Sequence, residues 1–264
     1  MTTPAGAANP ETEAIWREVL THGHRGRWAF LPSDPRCLMC AQPFTGLGGA
    51  LLRAFTGYKP ASMTPNMCNI CEDQLPPGGA EVDVAILFAD LRGSTALGER
   101  LSAAEFAALL NRFYDATSRV LVAAQSWIDK LVGDEVMALY IPAMGPDYRA
   151  RAVNAGIALL EAVGNRPGVT PWLDVGVGIH AGPAFVGKVG ATGTNQVTAL
   201  GDTVNTAARI QSQAAAGELL IGEDLYTSVA TDFPDLKQRH LTLRGKDAPV
   251  TVRTIRPAER PPAD

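Results

Sequence analysis

Two aspartates stand where apolar runs break. Val82-Asp-Val-Ala-Ile-Leu-Phe-Ala is a nearly unbroken apolar run that stops at Asp90, and Leu91-Arg-Gly-Ser-Thr95 follows it. Such a run reads as a buried strand. A carboxylate at its end sits on the rim of a sheet, where loops and ligands can reach it. Taken alone, Asp90 could equally cap the following turn. The second aspartate changes that balance. Trp127 to Tyr140 is two apolar segments joined at Gly133-Asp134, a hairpin signal. If the hairpin pairs beside the Asp90 strand, Asp90 and Asp134 converge on one rim. Two adjacent carboxylates repel unless neutralised, and a divalent ion that prefers oxygen ligands, such as Mg²⁺, is the simplest neutraliser.

A second chemistry lies nearer the N-terminus. All four cysteines fall in two pairs, Cys37-Leu-Met-Cys40 and Cys68-Asn-Ile-Cys71, separated by 27 residues. Paired C-x-x-C units are the usual arrangement for a four-thiolate metal site. Structural Zn²⁺ is the first reading, and an iron–sulfur cluster uses the same ligand set. Disulfides or free thiols are the third, although a reducing compartment disfavours stable disulfides. His22 and His24 have no third ligand beside them and read as part of a solvated basic loop. The glycines of Pro43 to Gly49 lack the Gly-Lys-Ser/Thr ending of a phosphate loop, so they read as turns around a short helix at Leu51–Phe55.

These residues need a frame. Residues 1–10 are small, polar and Pro-containing, and read as disordered. Glu11–Leu20 has helical character, with Ile15, Val19 and Leu20 on one side. Pro76-Pro-Gly-Gly79 reads as a linker, which divides the chain into a segment over 1–79 and a domain over 80–258. In that domain Ser102-Ala-Ala-Glu105 has the form of a capping box. The helix after it carries Phe106, Leu109, Leu110, Phe113, Val120 and Leu121 as a broad apolar face. A second helix is expected over Pro146–Val163. Leu173–Gly182 reads as a strand whose glycines suggest close backbone approach, with Phe185–Gly190 as its hairpin partner. Gln196–Leu200 reads as a further strand, and Asp202 as the cap of the helix after it. Strands, helices and a hairpin in this order give an α+β sandwich in which helices cover one sheet.

Three blocks carry a resemblance. Phe88-Ala-Asp90-Leu-Arg-Gly-Ser-Thr95, Lys130-Leu-Val-Gly-Asp134 and Leu200-Gly-Asp-Thr-Val-Asn205-Thr-Ala-Ala-Arg209 resemble, in order and spacing, the signature blocks of class III nucleotide cyclases. The similarity runs from Val82 to Arg256, about two thirds of the chain. It implies a ferredoxin-like catalytic domain with extra elements. It implies that Asp90 and Asp134, with the backbone carbonyl of Leu91, hold two divalent ions (Mg²⁺ or Mn²⁺). One ion would activate the ribose 3′-hydroxyl and the other would hold the triphosphate, for an in-line attack on the α-phosphorus. Asn205 would orient the ribose and Arg209 would stabilise transition-state charge; four apart on a helix, they share a face. Arg244, in Leu243-Arg-Gly-Lys-Asp, falls where the family places a phosphate-binding lysine, with Lys246 as a substitute.

The purine-reading positions implied by the resemblance are Lys130 and Thr198. A lysine donor suits adenine N1, which only accepts, and so favours ATP over GTP. Many adenylyl cyclases carry Asp where Thr198 stands. A hydroxyl can accept from the adenine amino group but can also donate, which loosens discrimination. Lys with Thr matches a subgroup of which some members respond to bicarbonate. In the family the metal-binding and base-reading sets face each other across a dimer interface. A chain with both sets is therefore expected to form a head-to-tail homodimer with two composite sites. Guanylate cyclase activity, or a silent dimer module signalling through the cysteine segment, are the rival readings.

Composition fits this picture. Apolar residues make up 46% of the 264, enough for a real core, and the net charge of −4 without a long basic run argues against nucleic acid as a partner. No apolar stretch has membrane-spanning length. The first ten residues lack the charged start and apolar core of a signal peptide. The expectation is a cytoplasmic enzyme.

Overall fold

The computed structural model describes residues 9–23, 28, 30, 31, 35–37, 39–61, 67–190 and 196–259. Residues 1–8 and His24–Arg27, read from sequence as tail and loop, lie outside the described residues.

The N-terminal helix α1 (Pro10–Thr21) is capped by the Asn9 side chain and buries Trp16, Val19 and Leu20. Ile15, expected on the inner side, is half exposed. The large Trp16 ring, four residues before Leu20, takes the inner position, and its Nε1 donates to Pro76 O at 3.1 Å. Helix α2 (Gly46–Thr56) begins earlier than expected, so Gly46, Gly48 and Gly49 lie inside it rather than in turns around it. A Cβ on Gly49 would stand 2.8 Å from the Phe44 carbonyl carbon, so only glycine lets this helix turn back so tightly on its preceding chain. Helix α3 (Asn69–Gln74) starts at the second cysteine pair.

Strand β1 (Gly78–Leu91) is the spine of the domain, buried from Val84 through Ala89 on both faces. Gly78 and Gly79, read as linker, are its first two residues and pair with Lys188 and Gly187. A short helix α4 (Ser94–Arg100) leads to α5 (Ala103–Ala123), whose capping box forms as expected: Glu105 N donates to Ser102 Oγ at 3.3 Å and Ser102 N donates to Glu105 Oε2 at 2.9 Å. Strands β2 (Trp127–Val132) and β3 (Glu135–Tyr140) make the expected hairpin, and α6 (Tyr148–Ala162) follows. Strand β4 (Val175–Val189) then runs antiparallel to the whole of β1. The order β2-β3-β1-β4, with β1–α–β2–β3–α–β4 connectivity, is the expected ferredoxin-like core.

Two expectations fail around β4. Phe185–Gly190 is not a hairpin partner of Leu173–Gly182; both belong to one strand, and β5 (Gln196–Leu200) is the partner of its second half. Gly182-Pro183 reads as a turn, but β1 is long enough to pair across it, with Val84 opposite Gly182 and Asp83 opposite Pro183. Helix α7 (Asp202–Ser212) has Gly201 at its cap position; Asp202 is the first helical residue and its carboxylate pairs with Lys246 instead. The sheet continues with β6 (Leu219–Gly222), parallel to β4, then a short helix α8 (Glu223–Tyr226), β7 (Lys237–Leu241) and β8 (Val250–Ile255), in the order β4-β6-β8-β7. Helix α7 lies directly on β4 because of glycine: a Cβ on Gly178 would stand 2.3 Å from Gln211 N. The close approach expected from the glycines of this strand is what they provide.

Candidate active site and cysteine cluster

Asp90 is the penultimate residue of β1, opposite Glu135 on one side and Gly176 on the other. Asp134 follows Gly133, whose φ of +63° makes the tight β2–β3 turn. Leu91 N donates to Asp134 O at 3.3 Å, which ties the turn to the end of β1. The two carboxylates therefore meet at one rim, as the sequence implied. Burial pushes the Asp90 carboxyl up to about 6, and the Asp134 charge adds to the shift while Arg92 opposes it. Asp90 Oδ1 is buried without a hydrogen-bond partner among the described residues. An orphaned, buried oxygen beside a second carboxylate is a donor set suited to a hard divalent cation.

The sequence alone did not single out Arg92. Its Nη2 donates to Gln211 O at 2.8 Å, so it closes the C-terminal end of α7 next to Asp90. The α7 face turned to the sheet carries Thr203, Thr206, Ala207, Ile210 and Gln211, and Gln211 reaches Asp90. Asn205 and Arg209 lie on the outer side, Asn205 exposed and Arg209 half-buried. Arg209 precedes Gln211 by two residues, about 200° around the helix, so it faces away from Asp90. Its guanidinium is beside Gly245, where a Cβ would stand 3.6 Å from Nη1 and Nη2. Arg244 is exposed next to this contact, and Lys246 is held by Asp202. The chain thus brings Arg209 to the 243–246 turn rather than to Asp90 and Asp134.

Lys130 and Thr198 are brought together through a residue the sequence reading missed. A β-bulge in β2 falls between Ile128 and Lys130 and leaves Asp129 outside the ladder. The Asp129 side chain is fully buried and accepts from Thr198 Oγ1 at 2.8 Å, while Lys130 Nζ lies 3.9 Å from the same oxygen. Burial pushes the Asp129 carboxyl up to about 6 against the opposing pull of Thr198 and Lys130. No alternation pattern reveals a bulge, so Asp129 had no signal beyond its place next to Lys130.

The four cysteines converge. Their sulfurs all lie within 4.8 Å of one another, with Cys40 Sγ and Cys68 Sγ 3.9 Å apart, and none is in a disulfide. Backbone amides turn onto them: Cys68 N donates to Cys37 Sγ at 3.3 Å and Cys71 N to Cys68 Sγ at 3.4 Å. Ala41, at φ +59°, makes the first knuckle. Sulfur hydrogen bonds from Cys40, then Cys68 and Cys71, hold Cys37 as a thiolate far below the usual thiol range. The cluster could hold a metal ion: a tetrahedron of sulfurs about 2.3 Å from one ion has edges of roughly 3.8 Å.

Residues 79–254 match the family described as the adenylate and guanylate cyclase catalytic domain. The chain belongs to that family. This cyclase domain is 28% identical over 189 residues to an adenylate cyclase of Anabaena cylindrica, covering 66% of this chain and 36% of that one. It is 30% identical over 180 residues to an uncharacterised protein of Mycobacterium tuberculosis, covering 66% and 33%. The chain spans about a third of the length of these curated relatives. Among solved structures, the adenylyl cyclase CyaB from P. aeruginosa is 29% identical with a TM-score of 0.58, covering 67% of this chain and 94% of that one. The guanylyl cyclase Cya2 is 26% identical with a TM-score of 0.60, covering 67% and 93%. The two differ in nucleobase, so the base used by this cyclase domain must be argued from its own residues. The cysteine cluster precedes the matched region. Among the described residues no helix is long and apolar enough to cross a membrane.

Proposed function

We propose that the protein is an adenylate cyclase that converts ATP to 3′,5′-cyclic AMP and pyrophosphate at composite sites of a homodimer. The observation that carries this reading is the meeting of Asp90 and Asp134 at one rim, with Asp90 Oδ1 buried and without a hydrogen-bond partner among the described residues. Asp90, Asp134 and the Leu91 carbonyl would hold Mg²⁺ or Mn²⁺. Such ions lower the pKa of a bound hydroxyl and neutralise charge on a departing phosphate. In the reaction the 3′-oxygen bonds to the α-phosphorus, the bond from that phosphorus to the bridging oxygen breaks, pyrophosphate leaves with the electron pair, and the 3′-hydroxyl proton is released.

Asn205 orients the ribose, and Arg209 presents its planar fork to the α-phosphate as charge builds there. Lys246 is engaged by Asp202, which leaves exposed Arg244 to meet the terminal phosphates. Lys130 donates to adenine N1, and Thr198 accepts from the amino group. Because Gln211 rather than Arg209 is turned toward Asp90, the Arg209 that acts at a given pair of aspartates comes from the second copy.

At the cysteines we favour one structural Zn²⁺. A multi-iron cluster interposes iron and sulfide between its thiolates and needs a wider cage than 4.8 Å. The cage sits at the start of α3, two elements from the active rim, and regulates the domain from there. Four free cysteines suit a reducing cytoplasm.

Purified chain with Mn²⁺ and either ATP or GTP tests the reading. Cyclic AMP should form with a higher kcat/KM than cyclic GMP. A preference for GTP would support the second reading, guanylate cyclase. Nucleotide binding without product would mark a silent dimer module. Elemental analysis for zinc, with no visible absorbance, tests the cysteine site.

A further inference from the structure

The base-reading pair contains an ambiguity that its neighbour removes, and the inference rests on the adenylate-cyclase reading above. We propose that Asp129 sets the polarity of the nucleobase site, by taking the only hydroxyl proton of Thr198 so that Thr198 can only accept from the base. A threonine hydroxyl has one proton and two lone pairs. Its Oγ1 donates to Asp129 Oδ2 at 2.8 Å, and an ionised carboxylate only accepts. Thr198 itself is buried, so water does not compete for the proton.

The arrangement is built rather than incidental. The bulge between Ile128 and Lys130 turns Asp129 out of the strand ladder and lets adjacent residues serve one site. Gln196 Nε2 donates to Asp129 O at 2.9 Å, which ties the bulge to β5, the strand that carries Thr198. Lys130 Nζ stands 3.9 Å from Asp129 Oδ2, so both base-reading side chains sit against the same carboxylate. Asp129 Oδ1 is buried and has no partner among the described residues. Burying a half-satisfied carboxylate costs stability, and the bond from Thr198 offsets part of that cost.

The consequence is a fixed acceptor (Thr198) beside a fixed donor (Lys130). Adenine offers an amino donor next to the N1 acceptor, the complement of that pair. Guanine offers O6 as acceptor next to an N1–H donor, which sets acceptor against acceptor and donor against donor. Without Asp129 the hydroxyl can rotate and donate to O6. A polar site left unpaired by the wrong ligand discriminates by about ten- to hundredfold per group.

The test measures kcat/KM for ATP and for GTP in the purified chain. Asp129→Ala and Asp129→Leu both remove the acceptor, one leaving space and one filling it, so whichever folds decides. The ratio of ATP to GTP should fall about tenfold or more, chiefly because GTP improves. Asp129→Asn keeps an oxygen in place and should stay within about threefold of the wild-type ratio. In a Thr198→Val background, Asp129→Ala should change the ratio no further. A purely structural role would lower both nucleotides alike. A folded, dimeric Asp129→Ala or Asp129→Leu protein with a ratio within about twofold of wild type overturns the proposal. If the wild type makes no cyclic product, the parent reading fails, and the ratio is read from binding of 3′-deoxy-ATP and 3′-deoxy-GTP with Mn²⁺. There a fall in selectivity on removing Asp129 supports the proposal and an unchanged selectivity refutes it.

Discussion

Asp90 and Asp129 are both half-satisfied carboxylates raised to about 6 by burial, but they have different neighbours and different consequences. Asp90 faces another carboxylate, and in the proposed reaction it would act through the divalent ion the two would hold. Replacing Asp90 or Asp134 by Asn should lower turnover at least a hundredfold, about 3 kcal/mol of transition-state stabilisation, with the melting temperature unchanged or raised. Asp129 faces a hydroxyl and the Lys130 cation. Its pKa is higher in the folded than in the unfolded chain, so the folded state holds more protons between about pH 4 and 6. The stability this contributes is present below the unfolded pKa and is lost as pH rises through about 6. Asp129→Asn should therefore raise the melting temperature at pH 8 and change it little at pH 4, as read by thermal melts across that range. Asp90 was legible in the sequence because an apolar run breaks at it, and Asp134 because it shares a hairpin turn with Gly133. Asp129 was not, since a bulge is set by the pairing of β2 with β3 and leaves no period in the residues.

At the scale of elements, the sheet does the positioning and glycine sets its distances. The β2–β3 hairpin, the capping box at Ser102 and the α5 and α6 helices all follow local rules that the sequence displays. The continuity of β4 does not: Gly182-Pro183 carries turn chemistry, and only the matching length of β1 overrides it. The same strand shows why glycines there concern function. Gly178→Ala would drive a methyl into the α7 backbone at 2.3 Å. It should cost about 1–3 kcal/mol of stability and lower turnover further than that loss explains, because α7 carries Asn205 and Arg209. Denaturant melts and steady-state kinetics on one preparation separate the two effects. The four-cysteine cage bears on a small element: α3 has six residues and is capped by the Cys68 side chain, which accepts from Cys71 N. With the proposed Zn²⁺ bound there, its chelation should lower the melting temperature by more than about 5 °C, the shift for a loss of roughly 2 kcal/mol in a domain of this size.

At the scale of the molecule, the two sets of residues that the proposed reaction needs point apart within one chain. Asp90 and Asp134 close the rim of β1, while Arg209 turns to the segment around Gly245. Fold and family were legible from three sequence blocks, whereas the outward aim of Arg209 needed the helix phase fixed by the Gly178 contact. Complementation measures the central claim directly. Asp90→Ala and Arg209→Ala should each be inactive. Mixed in equal amounts and allowed to exchange subunits, they should regain about a quarter of wild-type activity, because about half the dimers are mixed and each of those has one intact site of two. Mixed dimers that form, as shown by differential tagging, and yet recover no activity would contradict the shared site.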